Sequence, residues 1–148
     1  MRDFLLRVGA CFSAGVFGGL CNAVIVWLAG ASGLTAAMGV AIAPAMTTGY
    51  LYPKLVWGGL WGLLFVPRLL TGSIFWRGLL YSLGPTLVQS LVVFPVQAQK
   101  GLFGLDLGPM TPLLVVLANA VWGFAAAAWL RGGADADAGR RTRQRGAP

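Results

Sequence analysis

The chain has 148 residues, of which 57% are hydrophobic and 10% are charged, and its formal net charge is +7. Soluble globular domains have roughly 45–50% apolar and about 25% charged residues, so this composition excludes an ordinary soluble domain. The basic residues lie at the ends of apolar runs and near the C-terminus instead of along one polar face, which favours a membrane protein over a nucleic-acid-binding protein.

The first apolar run, residues 8–29, predicts a transmembrane helix, because about 33 Å of helix crosses a hydrocarbon core of about 30 Å. The next segment, 31–52, is uncharged and rich in Ala, Gly and Thr. Its weak hydrophobicity favours a loop that carries an interfacial or re-entrant helix at about 33–43, and its length would also permit a fifth span.

Three further spans are predicted. Pro53 suits the first turn of one of them, and Lys54 beside it is expected to extend its ammonium group to the membrane interface. Pro85 removes a backbone donor and predicts a kink in the following span. The ranges of these three spans are 53–70, 77–97 and 111–130.

Residues 1–131 are thus predicted to form a single transmembrane domain, an all-α polytopic bundle of four helices, followed by a basic, disordered cytoplasmic tail at 132–148. With four spans, nine of the eleven Lys and Arg residues fall on one side of the membrane, and Lys54 and Lys100 fall on the other. The positive-inside rule then places both termini in the cytoplasm. A fifth span at 31–52 would separate the basic N-terminus from the basic tail.

Small residues form a stripe on each of two predicted helices. Gly15 and Gly19 are four residues apart on the first helix, and Gly58 and Gly62 repeat that spacing on the second. Such spacing lets two helix backbones approach closely. The sequence leaves open whether these stripes pack within one chain or form the interface of a dimer.

Three amides are expected at similar depth in the bundle. Counted from the cytoplasmic ends of their helices, Asn22 lies about 21 Å in, Gln89 about 17 Å and Asn119 about 18 Å. Thr86 and Ser90 flank Gln89 and could extend a polar cluster. Two interpretations stay open: hydrogen bonds that hold helices together, at about 0.6 kcal/mol per contact, or a site for a ligand, an ion or a lipid headgroup.

The residues needed for most catalytic and metal chemistry are scarce. The chain has no histidine, and its only carboxylate side chains are those of Asp3, Asp106, Asp135 and Asp137. A proton-coupled exporter needs a carboxylate or histidine within the membrane, and none falls in the four predicted spans. We therefore expect no catalytic, cofactor-binding or metal-binding residue and a non-enzymatic protein.

Three elements resemble small bacterial inner-membrane proteins of the YagU-like group: an aromatic-Pro-Lys helix entry at 52–54, a Gln-containing helix that closes in Phe-Pro at 89–95, and an Asn-x-x-Trp-Gly helix at 119–123. The resemblance implies a bacterial inner-membrane location and no defined activity.

The leading functional hypothesis is a protein that acts through helix or lipid contacts, as an accessory subunit. Its expected partners are membrane lipids, other membrane proteins or a second copy of the chain. The alternative is a small oligomeric channel or facilitator for a neutral solute, lined by the three amides.

Overall fold

The structure is a computed structural model that describes the backbone of residues 1–145 and the side chains of residues 1–134. Over these residues the fold is all-α, as the sequence predicts, and contains no β-strand. The α-helices are α1 (Arg2–Ala31), α2 (Leu34–Ala37), α3 (Thr48–Gly62), α4 (Ile74–Val88) and α5 (Thr111–Arg145). A 3₁₀ turn (Leu63–Phe65) extends α3, a π-helix (Gln89–Gln97) extends α4, and a 3₁₀ segment (Leu102–Leu107) precedes α5.

The long helices pack in a series, with α3 against α1, α1 against α5, and α5 against α4. At one end of the bundle, which we call the terminal end, the start of α1 meets the end of α3. There Arg7 donates from Nε to the carbonyl of Val66 at 2.7 Å, and Arg77 at the start of α4 donates from Nη2 to the carbonyl of Phe65 at 3.4 Å. The two arginines therefore satisfy carbonyls that the end of α3 leaves without helical partners.

The opposite end, which we call the loop end, is formed by segments 32–47 and 98–110. The Ala41 N–H donates to the carbonyl of Leu107 at 2.7 Å. Gly108 has a φ of 135°, and a Cβ atom there would collide with the backbone of Gly39. Glycine is therefore required where the two segments cross.

Helices α1 and α3 approach so closely that their backbones touch. A Cβ atom at Gly15 would lie 2.6 Å from the Cα of Gly62, and one at Gly58 would lie 2.9 Å from the Cα of Gly19. No real side chain fits at such distances. The two glycine stripes therefore pack against each other within a single chain.

Glycines also lie at the other two helix interfaces, between α1 and α5 and between α4 and α5. On α1, Gly18 lies against Trp122 of α5, whose Nε1 donates to the carbonyl of Gly15 at 3.1 Å. Between α4 and α5, Gly78 and Gly123 face each other. Small residues are what membrane helices use to gain van der Waals contact and to bring polar side chains within reach of neighbouring backbones.

The second predicted span, 53–70, is displaced in the structure. Helix α3 begins at Thr48, because the Thr47 side chain accepts a hydrogen bond from the Tyr50 N–H at 3.2 Å and caps the helix. Its 3₁₀ extension ends at Phe65, shortly before Pro67, since proline disfavours the helical conformation of the residue before it. Pro53 consequently lies inside the helix and not in its first turn.

The third predicted span, 77–97, begins earlier and changes its winding. Ser73 caps α4 by accepting the Trp76 N–H at 3.3 Å, so the helix starts at Ile74. Four residues after Pro85 it becomes a π-helix, in which hydrogen bonds skip one more residue than in an α-helix. The α-helix itself continues through Pro85 to Val88, so the kink at Pro85 stays a prediction.

The helix predicted within segment 31–52 is much shorter in the structure. The helix expected at about 33–43 is reduced to the four residues of α2, which ends before Gly39 in the left-handed region, with a φ of 67°. Residues 40–47 then continue without helix to Thr47. A four-residue helix does not cross a membrane, so the described structure gives this segment no fifth span.

Three helices within the described residues are long and apolar enough to cross a membrane: Arg2–Ala31, Ile74–Gln97 and Thr111–Ala134. Helix α3 has 15 residues, or about 22 Å, which is less than the hydrocarbon thickness of about 30 Å. Three of the four predicted spans therefore correspond to helices of full length, and the second corresponds to α3, whose α-helical part is shorter than a span.

The tail differs from the sequence-based prediction. The sequence predicted disorder from residue 132, whereas the backbone of α5 is helical to Arg145. Alanine and arginine, which recur through 134–145, are good helix formers, and they continue a helix that the preceding apolar residues have already nucleated. Residues 146–148 of the predicted tail lie outside the described residues.

Replacing Gly15 by valine tests the contact between α1 and α3. We expect Gly15→Val to lower the free energy of unfolding by at least about 1–3 kcal/mol, the usual range for overpacking, because the new side chain meets backbone that cannot move aside. Unfolding of the purified protein in mixed micelles, followed by tryptophan fluorescence, measures the change.

Gly9→Val is the matched control, since it places the same β-branched residue on the same helix where no atom lies within 4 Å of the added Cβ. Equal destabilisation by both variants would show that helix propensity, and not the close contact, accounts for the effect.

Candidate functional site

Four polar side chains from four different helical segments form one hydrogen-bonded row across the bundle, which we call the polar row. Lys54 of α3 donates from Nζ to Asn22 Oδ1 at 3.0 Å. Asn22 of α1 donates from Nδ2 to Asn119 Oδ1 at 3.4 Å, and Asn119 of α5 donates from Nδ2 to Gln89 Oε1 at 3.4 Å. The structure thus brings together the three amides that the sequence placed at similar depth and adds a lysine to them.

The two contacts between amides are long. Most N–H···O hydrogen bonds in proteins are 2.9–3.0 Å, and the interaction weakens as the distance grows. Asn22 and Asn119 are nevertheless buried, with 4% and 6% of their surface exposed. The amides of the polar row therefore form long, weak hydrogen bonds in a buried environment, where an unsatisfied polar group costs free energy.

A cavity of about 240 Å³ lies beside the polar row, toward the loop end. Its polar wall consists of Asn22, Tyr50, Lys54 and Gln89. The remaining lining residues are apolar and come from α1, the loop segments, the π-helix and α5: Val26, Ile42, Pro44, Phe94, Leu107, Leu114, Val115 and Ala118. The cavity thus joins one polar wall to an apolar body, which is the usual construction of a small-molecule site.

The loop segments line the cavity on the side away from the terminal end. Ile42 and Pro44 come from the non-helical part of segment 32–47, and Leu107 comes from the 3₁₀ segment before α5. The hydrogen bond between Ala41 and Leu107 holds these two walls together. Both loops therefore contribute to the wall of the cavity.

Tyr50 fixes one corner of the polar wall. Its hydroxyl donates to the carbonyl of Ala23 at 3.0 Å, which joins the first turn of α3 to α1. The ring of Tyr50 lies 6.0 Å from Lys54 Nζ, at the outer limit of a cation–π contact. The lysine is thus held between an amide and an aromatic face.

Lys54 is the residue that reasoning from the sequence misplaced. A lysine near a helix end was expected to extend to the interface, but here its ammonium group turns toward α1 and is partly buried. The signal lies in the spacing, since Lys54, Gly58 and Gly62 are each four residues apart and so share one face of α3. Gly58 and Gly62 pack that face of α3 against α1, so Lys54 on the same face also points toward α1.

Two residues of the predicted cluster stay apart from the polar row. Thr86 donates from Oγ1 to the carbonyl of Ser82 at 2.7 Å, which is a bond within its own helix. Ser90 is buried, with 3% of its surface exposed, but neither it nor Thr86 lines the cavity. The π-helix directs Gln89 and Phe94 to the cavity instead.

The side chains at the site can bind a ligand through hydrogen bonds and charge. Over the part of the chain that the structure describes, no group of three or more His, Cys, Asp and Glu side chains is arranged to hold a metal ion. The polar wall offers an ammonium, amides and a phenol, and none of the lining residues is a carboxylate.

Comparison with known proteins adds no relative, since no protein-family model, curated protein or solved structure matches this chain.

Proposed function

We propose that this chain is a non-enzymatic integral protein of the bacterial inner membrane that binds a small polar ligand in the interior of a four-helix bundle. The observation that carries the proposal is the polar row beside a partly enclosed cavity. Helix association alone requires neither the lysine nor the space beside it. A partly buried ammonium group is costly to desolvate, and a ligand in the adjacent cavity would offset that cost.

The four-helix arrangement is supported by the length of α3 together with its extension. The 15 α-helical residues contribute about 22 Å and the three 3₁₀ residues about 6 Å, which approaches the hydrocarbon thickness of about 30 Å. Leu60 and Leu64 are among the large apolar side chains that this region exposes. Exposed apolar surface on a helix that packs along α1 favours a lipid environment for it.

The distribution of charge supports cytoplasmic termini. Arg2 and Arg68 lie at helix ends at the terminal end, and Arg131 and the four arginines of the tail follow the apolar part of α5 in sequence. At the loop end, Lys54 turns into the bundle, so Lys100 is the basic residue left on the surface there. The positive-inside rule therefore favours the terminal end in the cytoplasm and the cavity toward the other side of the membrane.

The packed interior of the bundle favours a protein that binds a solute over one that conducts it. Between the polar row and the terminal end lies a packed cluster that includes Phe65, Tyr81 and Trp122. The rings of Phe65 and Tyr81 are 4.4 Å apart, and those of Phe65 and Trp122 are 5.8 Å apart. A solute moving along the axis of one bundle would have to separate these rings, so we propose a binding protein in preference to the channel or facilitator that the amides alone would suggest.

Reporter fusions test the topology. With four spans, fusions at Gly33 and Gly104 report an extracytoplasmic location, and fusions at Gly72 and at the C-terminus report a cytoplasmic one. Alkaline phosphatase and a fluorescent protein, active on opposite sides, give complementary readouts. An extracytoplasmic C-terminus would contradict the four-span arrangement.

Native mass spectrometry tests the proposed function. We expect the chain, purified in a mild detergent, to carry a small non-lipid molecule that is reduced at least about tenfold in Asn119→Leu, because this variant removes the centre of the polar row. Gln97→Leu is the matched control, since Gln97 is exposed at the end of the π-helix and outside the cavity. No such molecule on the wild type, or equal amounts on all three proteins, would contradict the proposal.

A further inference from the structure

We propose that the ligand of the cavity is a small monocarboxylate, with its carboxylate on Lys54 and a short apolar body against the aliphatic wall. This inference rests on the proposed function and names the chemical class of the ligand. It follows from the direction of the hydrogen bonds in the polar row, from the charge of the lining and from the size of the cavity.

The direction of the hydrogen bonds is set by the lysine. An ammonium group only donates, so Asn22 must present its amide oxygen to Lys54. The Asn22 NH₂ group then faces the oxygen of Asn119, whose own NH₂ group faces the oxygen of Gln89. Every amide oxygen of the polar row therefore already accepts a hydrogen bond from its neighbour.

The groups left over at both ends of the polar row are donors. Lys54 has three N–H groups and uses one on Asn22, and the Gln89 NH₂ group has no acceptor within the polar row. Both residues line the cavity. An acceptor on a ligand can satisfy either of these donors, whereas a donor on a ligand can satisfy neither.

The charge of the lining selects an anion. Lys54 is the one charged residue among those that line the cavity. Asp106, also at the loop end, is exposed and is not part of the lining. A single cation matches a single negative charge, so a carboxylate forms a charge-assisted hydrogen bond that a neutral amide cannot form. A dianion would bring a second charge for which the cavity has no partner.

The volume of the cavity and its apolar lining limit the size and polarity of the rest of the ligand. The cavity of about 240 Å³ is below the range of about 300–1,000 Å³ typical of sites for drug-sized ligands. Two-thirds of its lining residues are apolar, eight of the twelve. A carboxylate with a few apolar carbons fits both limits.

A comparison of butyrate with butyramide tests the inference, because the two have the same shape and differ in charge at pH 7. The full chain is titrated with each compound in detergent at constant chloride, and the dissociation constant is obtained from the rise of the unfolding temperature with ligand concentration. We expect wild type to bind butyrate at least about tenfold more tightly than butyramide, the ratio that separates a charged from a neutral hydrogen bond.

Two lysine variants locate the site. Lys54→Met keeps an unbranched side chain without the charge and is expected to abolish the preference for butyrate. Lys100→Met makes the same change at an exposed lysine outside the cavity and is expected to preserve it. A preference that survives Lys54→Met would overturn the assignment. The wild-type comparison stands on its own if Lys54→Met does not fold.

The possible results distinguish a wrong carboxylate assignment from a wrong proposal of a ligand site. Equal affinity of wild type for both compounds, with both lost in Asn119→Leu, would overturn the anion preference and leave the proposed ligand site intact. No binding of either compound would overturn the carboxylate assignment, and a small non-lipid molecule found by native mass spectrometry would then belong to another class. No binding together with no such molecule would overturn both proposals.

Discussion

The contact between α1 and α3 determines the rest of the interior. Because Gly15 and Gly58 let the two backbones touch, the face of α3 that carries Gly58 has to face α1. Lys54 lies one turn earlier on that face, so its ammonium group is held at 3.0 Å from Asn22 instead of reaching the membrane surface. The position of the Lys54 ammonium group within the bundle therefore follows from the glycines that let α1 and α3 touch.

Much of the fold could be predicted because its signals are local or periodic. Apolar runs of sufficient length predict helices, and a fixed rise per residue placed Asn22, Gln89 and Asn119 at similar depth without any knowledge of their contacts. The glycine stripes likewise depend only on spacing. Helix boundaries were less accurate, because a single cap such as Thr47 moves the start of a helix by a turn.

The parts that were missed depend on which surfaces meet. A hydroxyl near Gln89 in sequence does not have to join it, since Thr86 satisfies its own donor on the preceding turn. The loop closure depends on a bond between Ala41 and Leu107, which are distant in sequence and carry no local pattern. Lysine at a helix end usually extends to the interface, and only the shared face with the glycines indicates otherwise.

The measurement that tests this account most directly is a ¹³C–¹⁵N dipolar recoupling experiment on the chain in lipid bilayers, with ¹⁵Nζ-lysine and ¹³Cγ-asparagine labels. The chain has two lysines and two asparagines, so Lys100→Met assigns the Lys54 signal and Asn119→Leu leaves Asn22 as the sole labelled partner. With Nζ 3.0 Å from Asn22 Oδ1, we predict clear dephasing of the Lys54 signal. A Lys54 signal without dephasing would place the ammonium group away from Asn22 and contradict the account.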